Sequence, residues 1–394
     1  MKKIAIVAPG NLPVPAINGG AVESLIDIFV GIASKRNNYK IDVYSVSDSL
    51  CSVQNIRRGN ISYIQVPYKV IRDTIANKLI CKAYPQYKFR YFIKYVCTQL
   101  SKIRYDAVIV ENRPTFIYDI SRHTNAKIFL HLHNENFVAI KKFCRNVPSH
   151  CEKIIVVSEY IKKVVEKNMK AANNVEVLHN GIDVSRFKKA TNMQARNTIR
   201  NKYGIPKENL VVCYTGRFSP EKGVLEVVKA FSKLNELSGV TLLIIGSSWF
   251  GSNQKNSYIT EVENEAKKCT NKIIFTGYVN NEEVASIESV SDIAVLPSLW
   301  NDPLPLTIIE AMASGLPIIT TEVGGIPEMC TSETGILLNR YDHLAENIEK
   351  ALRDLIQNEE KRIELGSAAR ERAEKYFSVD EYYNNFVRIL DSEE

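Results

Sequence analysis

Four side chains in the second half of the 394-residue chain have types and spacings suited to chemistry on a charged, hydroxyl-rich molecule. Asp302 and Glu310 stand eight positions apart in residues 292–328, DIAVLPSLWNDPLPLTIIEAMASGLPIITTEVGGIPE. A carboxylate offers two oxygens that accept hydrogen bonds from hydroxyl groups. Arg217 and Lys222 stand five apart in Gly216-Arg217-Phe218-Ser219-Pro220-Glu221-Lys222-Gly223. Around a tight turn such a pair can converge on one phosphate group, Arg as a fork and Lys as a point charge; otherwise it is two surface cations. In the first half, Gly19-Gly20 precedes an apolar segment, and His131 and His133 are separated by one residue.

The elements that must position these groups follow from the apolar pattern. Residues 293–296 are a short buried strand, 297–305 a loop with Trp300, Asp302, Pro303 and Pro305, and 306–313 a helix rich in small residues. Gly315 ends that helix and 316–319 is the next strand. Asp302 therefore lies in the loop at a strand's carboxyl end and Glu310 early in the helix. Parallel sheets bind ligands at that end. The same alternation runs through the second half: strands at 210–215, 240–245 and 272–275, with helices at 224–237, 258–269 and 281–289. Arg217 and Lys222 fall at a strand-to-helix turn, and Gly246 and Gly277 end two further strands. In the first half, strands at 3–8, 41–46, 61–66, 107–110, 127–132, 153–157 and 175–178 alternate with helices, beginning with 21–33. Gly19-Gly20 sits where the first strand hands over to that helix, and its backbone can approach an anion there or simply turn. No G-x-G-x-x-G is present, so this is not the dinucleotide fingerprint. His131 and His133 share a strand face, which raises a metal pair; the sequence offers no third ligand at useful spacing.

Taken together, these landmarks resemble the GT4-type retaining glycosyltransferases of the GT-B fold. Residues 302–310 match the family's E-x7-E signature, with Asp302 in place of the first Glu. Residues 216–223 match G-R-x-x-x-E-K-G, and Asn180-Gly181-Ile182-Asp183 with Phe187 matches N-G-[IV]-D…F. Gly324-Gly325 before Ile326-Pro327-Glu328 is a further landmark. The resemblance covers nearly the whole chain. It implies two Rossmann-like doubly wound parallel-sheet α/β domains facing a cleft, with the C-terminal helix crossing back to the first. The expected domains are 1–190 on the acceptor side, 191–376 for the nucleotide sugar, and a helical segment 377–394.

The resemblance also implies roles. Arg217 and Lys222 hold the leaving diphosphate, so no metal cofactor is expected, and no D-x-D motif occurs. Glu310 takes the ribose hydroxyls, Asp302 and His133 contact the donor sugar, Gly19 and Gly20 approach the diphosphate, and Gly216 is a further nucleotide-sugar contact. The family often has Gly where Pro305 stands. Proline has no N–H, so Leu306 or Thr307 supplies that contact or it is absent. The expected activity is transfer of a sugar from a nucleotide sugar, UDP by family frequency, to a glycan or lipid-linked acceptor of a surface polysaccharide. A UDP-sugar 2-epimerase and a non-catalytic nucleotide-sugar-binding protein are the competing readings.

Composition sets outer limits. Hydrophobic residues at 45% and charged residues at 24% are ordinary for a globular chain, and two domains suit its length. No apolar run approaches the roughly 20 residues of a membrane helix. The eight cysteines form no C-x-x-C pair, which fits reduced thiols and a cytoplasmic location. The net charge of +7 is uneven: residues 69–104 carry nine Lys and Arg against Asp73 alone, with six aromatics from Tyr84 to Tyr95. That region is one or two helices, either a solvated face over an aromatic stripe or a surface for anionic lipid at the inner face of a membrane. No recognition motif accompanies the charge, so nucleic acid is not an expected partner.

Overall fold

The structure is a computed structural model, and it describes residues 1–17, 20–47, 56–66, 74–189, 192–246 and 257–392. The chain divides into two units: Met1–Asn180 with Tyr382–Glu394, and Gly181–Glu381. The division falls within the Asn180-Gly181 pair rather than at 190. Residues 181–187 are tied into the second unit by Arg370, whose guanidinium donates to the carbonyls of Val184, Phe187 and Ala313.

In the first unit the strands are β1 (Lys2–Val7), β2 (Tyr39–Val46), β3 (Ile56–Arg58), β4 (Ile61–Val66), β5 (Ala107–Glu111), β6 (Lys127–Leu132), β7 (Lys153–Val156) and β8 (Val175–Val177). They form one sheet in the order β3-β4-β2-β1-β5-β6-β7-β8, parallel except where β3 pairs with β4. Central strands such as β5, AVIVE, are buried throughout, as expected where helices cover both faces. The helix Ala21–Arg36 buries Leu25, Ile26, Phe29, Val30 and Ala33 along one face. Its Phe29 ring meets Phe386 at 4.6 Å and Tyr383 at 5.4 Å between centroids. The C-terminal helix Val379–Asp391 thus returns the chain to the first core, where Tyr382, Tyr383, Phe386, Ile389 and Leu390 are buried.

The basic aromatic region forms a helix Ile75–Ala83, a 3-10 turn Pro85–Phe89 and a helix Arg90–Leu100. Its aromatics divide. Phe89 and Phe92 are buried against Phe116, whereas Tyr84 and Tyr91 are exposed together with Leu79. Lys69, Arg72 and Asp73 lie outside the described residues.

In the second unit the strands are β9 (Leu210–Thr215), β10 (Val240–Ile245), β11 (Lys272–Phe275), β12 (Ile293–Leu296), β13 (Ile318–Thr321) and β14 (Gly335–Leu338). The sheet is parallel, in the order β11-β10-β9-β12-β13-β14. β14 was not foreseen; its run GILL is too short and too exposed to stand out. The chain order reverses between β1 and β5 in the first sheet and between β9 and β12 in the second. Crevices open outside the carboxyl ends of strands at such switch points. The seven described cysteines are all free thiols, and no helix among the described residues is long and apolar enough to cross a membrane.

Candidate active site

In the second unit, the loops leaving β9 and β12 flank the switch point and carry Arg217, Lys222 and Asp302, while Glu310 lies on the helix that follows β12. Arg217 follows β9 and is half-buried, with no hydrogen bond or ion pair to its guanidinium among the described residues. Lys222 ends the short 3-10 turn Pro220–Lys222. The turn is pinned from beneath by Tyr214, whose hydroxyl lies 3.1 Å from the Arg217 carbonyl and 3.3 Å from that of Lys222. Tyr214 is buried, and nothing in the sequence singled it out.

Residues 298–303 are fixed from three sides. Thr321 Oγ1 on β13 accepts from the Ser298 N–H and donates to its carbonyl, both at 2.8 Å. The Leu299 N–H donates to the Glu221 carbonyl at 2.8 Å, which joins the two loops. The Gly325 N–H donates to the Asp302 carbonyl at 2.8 Å. A Cβ on neighbouring Gly324, whose φ is +56°, would fall 2.1 Å from that same oxygen, so the turn tolerates only glycine there. The Gly324-Gly325 landmark therefore holds Asp302 in place.

The structure adds a contact that the sequence reading of Asp302 lacked. Its Oδ2 lies 2.5 Å from Lys222 Nζ, so the sugar-binding candidate and the phosphate-binding candidate form an ion pair. A cavity beside the pair is lined by Tyr214, Thr215, Lys222, Asp302, Pro305 and Thr307. Pro305 is the N-cap of the helix Leu306–Ala313, and no side chain caps it. The N–H groups of Leu306 and Thr307 make no hydrogen bond among the described residues.

Glu310 follows one turn later and is half-buried, with no hydrogen bond to its carboxyl among the described residues. Behind it stands Glu288, fully buried, with Oε1 2.7 Å from Thr215 Oγ1. Burial pushes Glu310 up to about 7, partly offset by Arg186. Burial and the neighbouring Glu310 push Glu288 up to about 8. Glu288 lies 22 residues from Glu310 in sequence, and no spacing rule connects them.

Gly216 is at the end of β9, as predicted. Gly246, at φ +133°, packs its backbone on Gly216; a Cβ there would come within 2.1 Å of the Gly216 carbonyl oxygen. Gly246 and Gly277 also bridge one another. These two glycines let the strand ends approach closely.

In the first unit, Gly20 is the N-cap of the helix Ala21–Arg36, at φ +107°. Gly19 lies outside the described residues. The place beside Gly20 is already filled: a Cβ on it would meet Glu23 Oε2 at 2.3 Å. Glu23 turns its carboxyl back to its own N–H, so this helix start already has an internal acceptor. Burial pushes that carboxyl up to about 7.

His131 is fully buried and His133 keeps partial exposure. The missing third group is present after all. Glu111, at the end of β5, pairs in register with His131 on β6, and parallel neighbours share a face. Glu111 Oε2 lies 2.7 Å from His133 Nε2 and 3.1 Å from His131 Nδ1. The signal was the acidic end of one strand beside the His-x-His end of another, visible only once the strands are known to be neighbours.

Residues 36–186 match the model described as Glycosyltransferase Family 4, and residues 195–372 match that of Glycosyl transferases group 1. The chain is 29% identical over 365 residues to the Bacillus subtilis (strain 168) protein YtcC, named as a glycosyltransferase, covering 89% of this chain and 84% of that one. It is 26% identical over 401 residues to the spore coat protein SA of the same organism, covering 99% of each. The crystal structure of Anabaena Alr3699/HepE in complex with UDP and glucose superposes with a TM-score of 0.76 over 100% of both chains, at 19% identity. The two family models lie in order over the two sheets described above, and the chain belongs to the GT4-type, group 1 glycosyltransferases of the GT-B fold.

Proposed function

We propose that the protein transfers a sugar, with retention and without a metal, from a UDP-sugar to a glycan or lipid-linked acceptor. One observation carries this reading. Two cations and two uncapped N–H groups are carried by the segments that follow β9 and β12, on either side of the switch point, and Arg217 has no partner among the described residues. Such preorganised charge stabilises a leaving diphosphate as the glycosidic bond breaks, and each well-placed donor is worth roughly 3–4 kcal/mol. Glu310 accepts hydrogen bonds from the ribose hydroxyls. Lys222 leaves Asp302 for the diphosphate, and the freed carboxylate accepts from the sugar. No protein nucleophile is assigned; attack is on the face the leaving group vacates, and the donor phosphate takes the acceptor's proton. The choice of UDP is supported by the Anabaena protein, whose structure holds UDP and glucose.

The acceptor reading is supported by the first unit's basic surface. Leu79, Tyr84 and Tyr91 are exposed beside Lys78, Lys82, Lys88 and Arg90, a combination suited to peripheral contact with anionic lipid.

The test is a panel of UDP-, GDP-, ADP- and dTDP-sugars in EDTA, without acceptor, read for affinity and slow sugar release. Tight binding of one donor with release of free sugar of unchanged anomeric configuration is expected. Conversion to a different nucleotide sugar would instead make the protein an epimerase, and loss of binding in EDTA would end the metal-independent reading.

A further inference from the structure

Glu111 is 3% exposed. A carboxylate removed from water costs several kcal/mol unless its oxygens are bonded. Burial alone would raise Glu111, but His131 and His133 outweigh it and hold the carboxyl down at about 2. An ionised carboxylate only accepts, so His133 Nε2, 2.7 Å away, carries a proton and donates it. Burial and the adjacent His131 push His133 down to about 4, which leaves its ring neutral at neutral pH. A neutral ring has one N–H, so Nδ1 is bare. Among the described residues no hydrogen bond reaches it. The backbone is held as firmly as the ring. The His133 N–H donates to Asn112 Oδ1 at 3.2 Å, and the Asn112 N–H donates to the His131 carbonyl at 2.7 Å.

We propose that Glu111 is a positioning residue: it holds the His133 ring with Nε2 protonated and Nδ1 free, so that His133 accepts a hydrogen bond from a saccharide hydroxyl. This rests on the reading of the protein as a sugar transferase in which His133 meets the sugar. The same trio is also the donor set of a zinc or iron centre, with ligand atoms within 4.8 Å of one another. The 2.7 Å contact argues for the proton. Two ligands about 2.05 Å from a tetrahedral zinc would stand ~3.3 Å apart.

Three measurements test this on the full-length chain. Long-range proton–nitrogen NMR of the wild-type histidines at pH 7.5 should show His133 neutral with the proton on Nε2. A proton on Nδ1, or a charged ring, overturns the proposal without any variant. Glu111→Gln can donate as well as accept, so it should give a mixture of His133 tautomers. Its kcat should fall roughly 10- to 100-fold, as expected for a misaligned contact, with unchanged affinity for the nucleoside diphosphate. Unchanged kcat, or an unchanged tautomer, overturns the proposal. Tight uptake of one zinc per chain, lost in His131→Ala, also overturns it. If wild-type protein turns over no nucleotide sugar, the transferase reading fails by itself, and the NMR result still decides what Glu111 does to His133.

Discussion

Replacing Asp302 with Asn removes the carboxylate that holds Lys222 Nζ at 2.5 Å. The lysine is then free for a phosphate, and a competing negative charge is gone. Affinity for UDP alone should rise roughly 2- to 5-fold, the scale of a partly exposed ion pair, while sugar turnover falls because the amide offers the sugar one uncharged accepting oxygen in place of two charged ones. Calorimetry against UDP checks the first and kinetics the second; weaker UDP binding would mean that Asp302 supports the nucleotide site instead of competing with it. The double variant Arg217→Ala with Lys222→Ala should lower kcat by about 10³-fold or more while its circular dichroism stays native. Turnover near wild type would end the account of the leaving group. These residues were legible because each sits within a few positions of a strand end, where local pattern fixes the location. Tyr214, Glu288 and Glu111 were not. Each acts on a partner brought to it by a turn or a neighbouring element, which a linear pattern does not encode.

At the scale of elements, the helices ending in Glu288 and containing Glu310 bring two carboxyls together behind β9. Both bind a proton more tightly in the folded chain than in the unfolded one: burial and the neighbouring Glu310 raise Glu288 to about 8, and burial raises Glu310 to about 7. Folding therefore takes up protons in this range. The stability is fully present below the ordinary carboxylate pKa and is lost as pH rises through 7 to 8. His133, held down at about 4, adds the opposite slope only below about 6.5, so the window above pH 7 separates the two. Hydrogen exchange in β9–β14 should quicken between pH 7 and 8.5 beyond its intrinsic rate, and Glu288→Gln should flatten that change and be the more protected chain at pH 8.5. An equal slope in the variant would show that the pair does not share its proton. The helix Ile75–Ala83 makes the other prediction at this scale. Its exposed Leu79 and Ile80 sit among lysines, each worth on the order of 1 kcal/mol near an anionic surface. The chain should float with anionic vesicles at low salt, and Leu79→Glu with Ile80→Glu should abolish that. The helices here were legible from composition; the division into buried Phe89 and Phe92 and exposed Tyr84 and Tyr91 was not, because it depends on where Phe116 lies.

At the scale of the whole molecule, the alternation of apolar strands and helices made two parallel-sheet units legible, since strands buried on both faces leave little choice of architecture. The return of the last helix to the first unit was implied by the family resemblance and not by this alternation. Tyr382, Tyr383, Phe386, Ile389 and Leu390 follow the second unit in sequence, yet they are buried in the core of the first. At roughly 1.5–3 kcal/mol for each buried side chain, their loss would outweigh most of the ~5–15 kcal/mol that stabilises a typical domain. A chain ending at Glu381 should therefore fail to fold its first unit. Phe386→Ala is the measured version of that experiment. It removes the ring 4.6 Å from Phe29 and should cost about 3–5 kcal/mol. If the two cores are separate cooperative units, hydrogen exchange should quicken in β1, β2 and the helix Ala21–Arg36 while β9, β12 and β13 keep their protection. Added UDP should then protect the loops after β9 and β12 in the variant as it does in the wild type, because binding stabilises only the unit that holds it. Exchange that quickens equally across both sheets would show instead that the two cores unfold as one, and the C-terminal helix would be the reason.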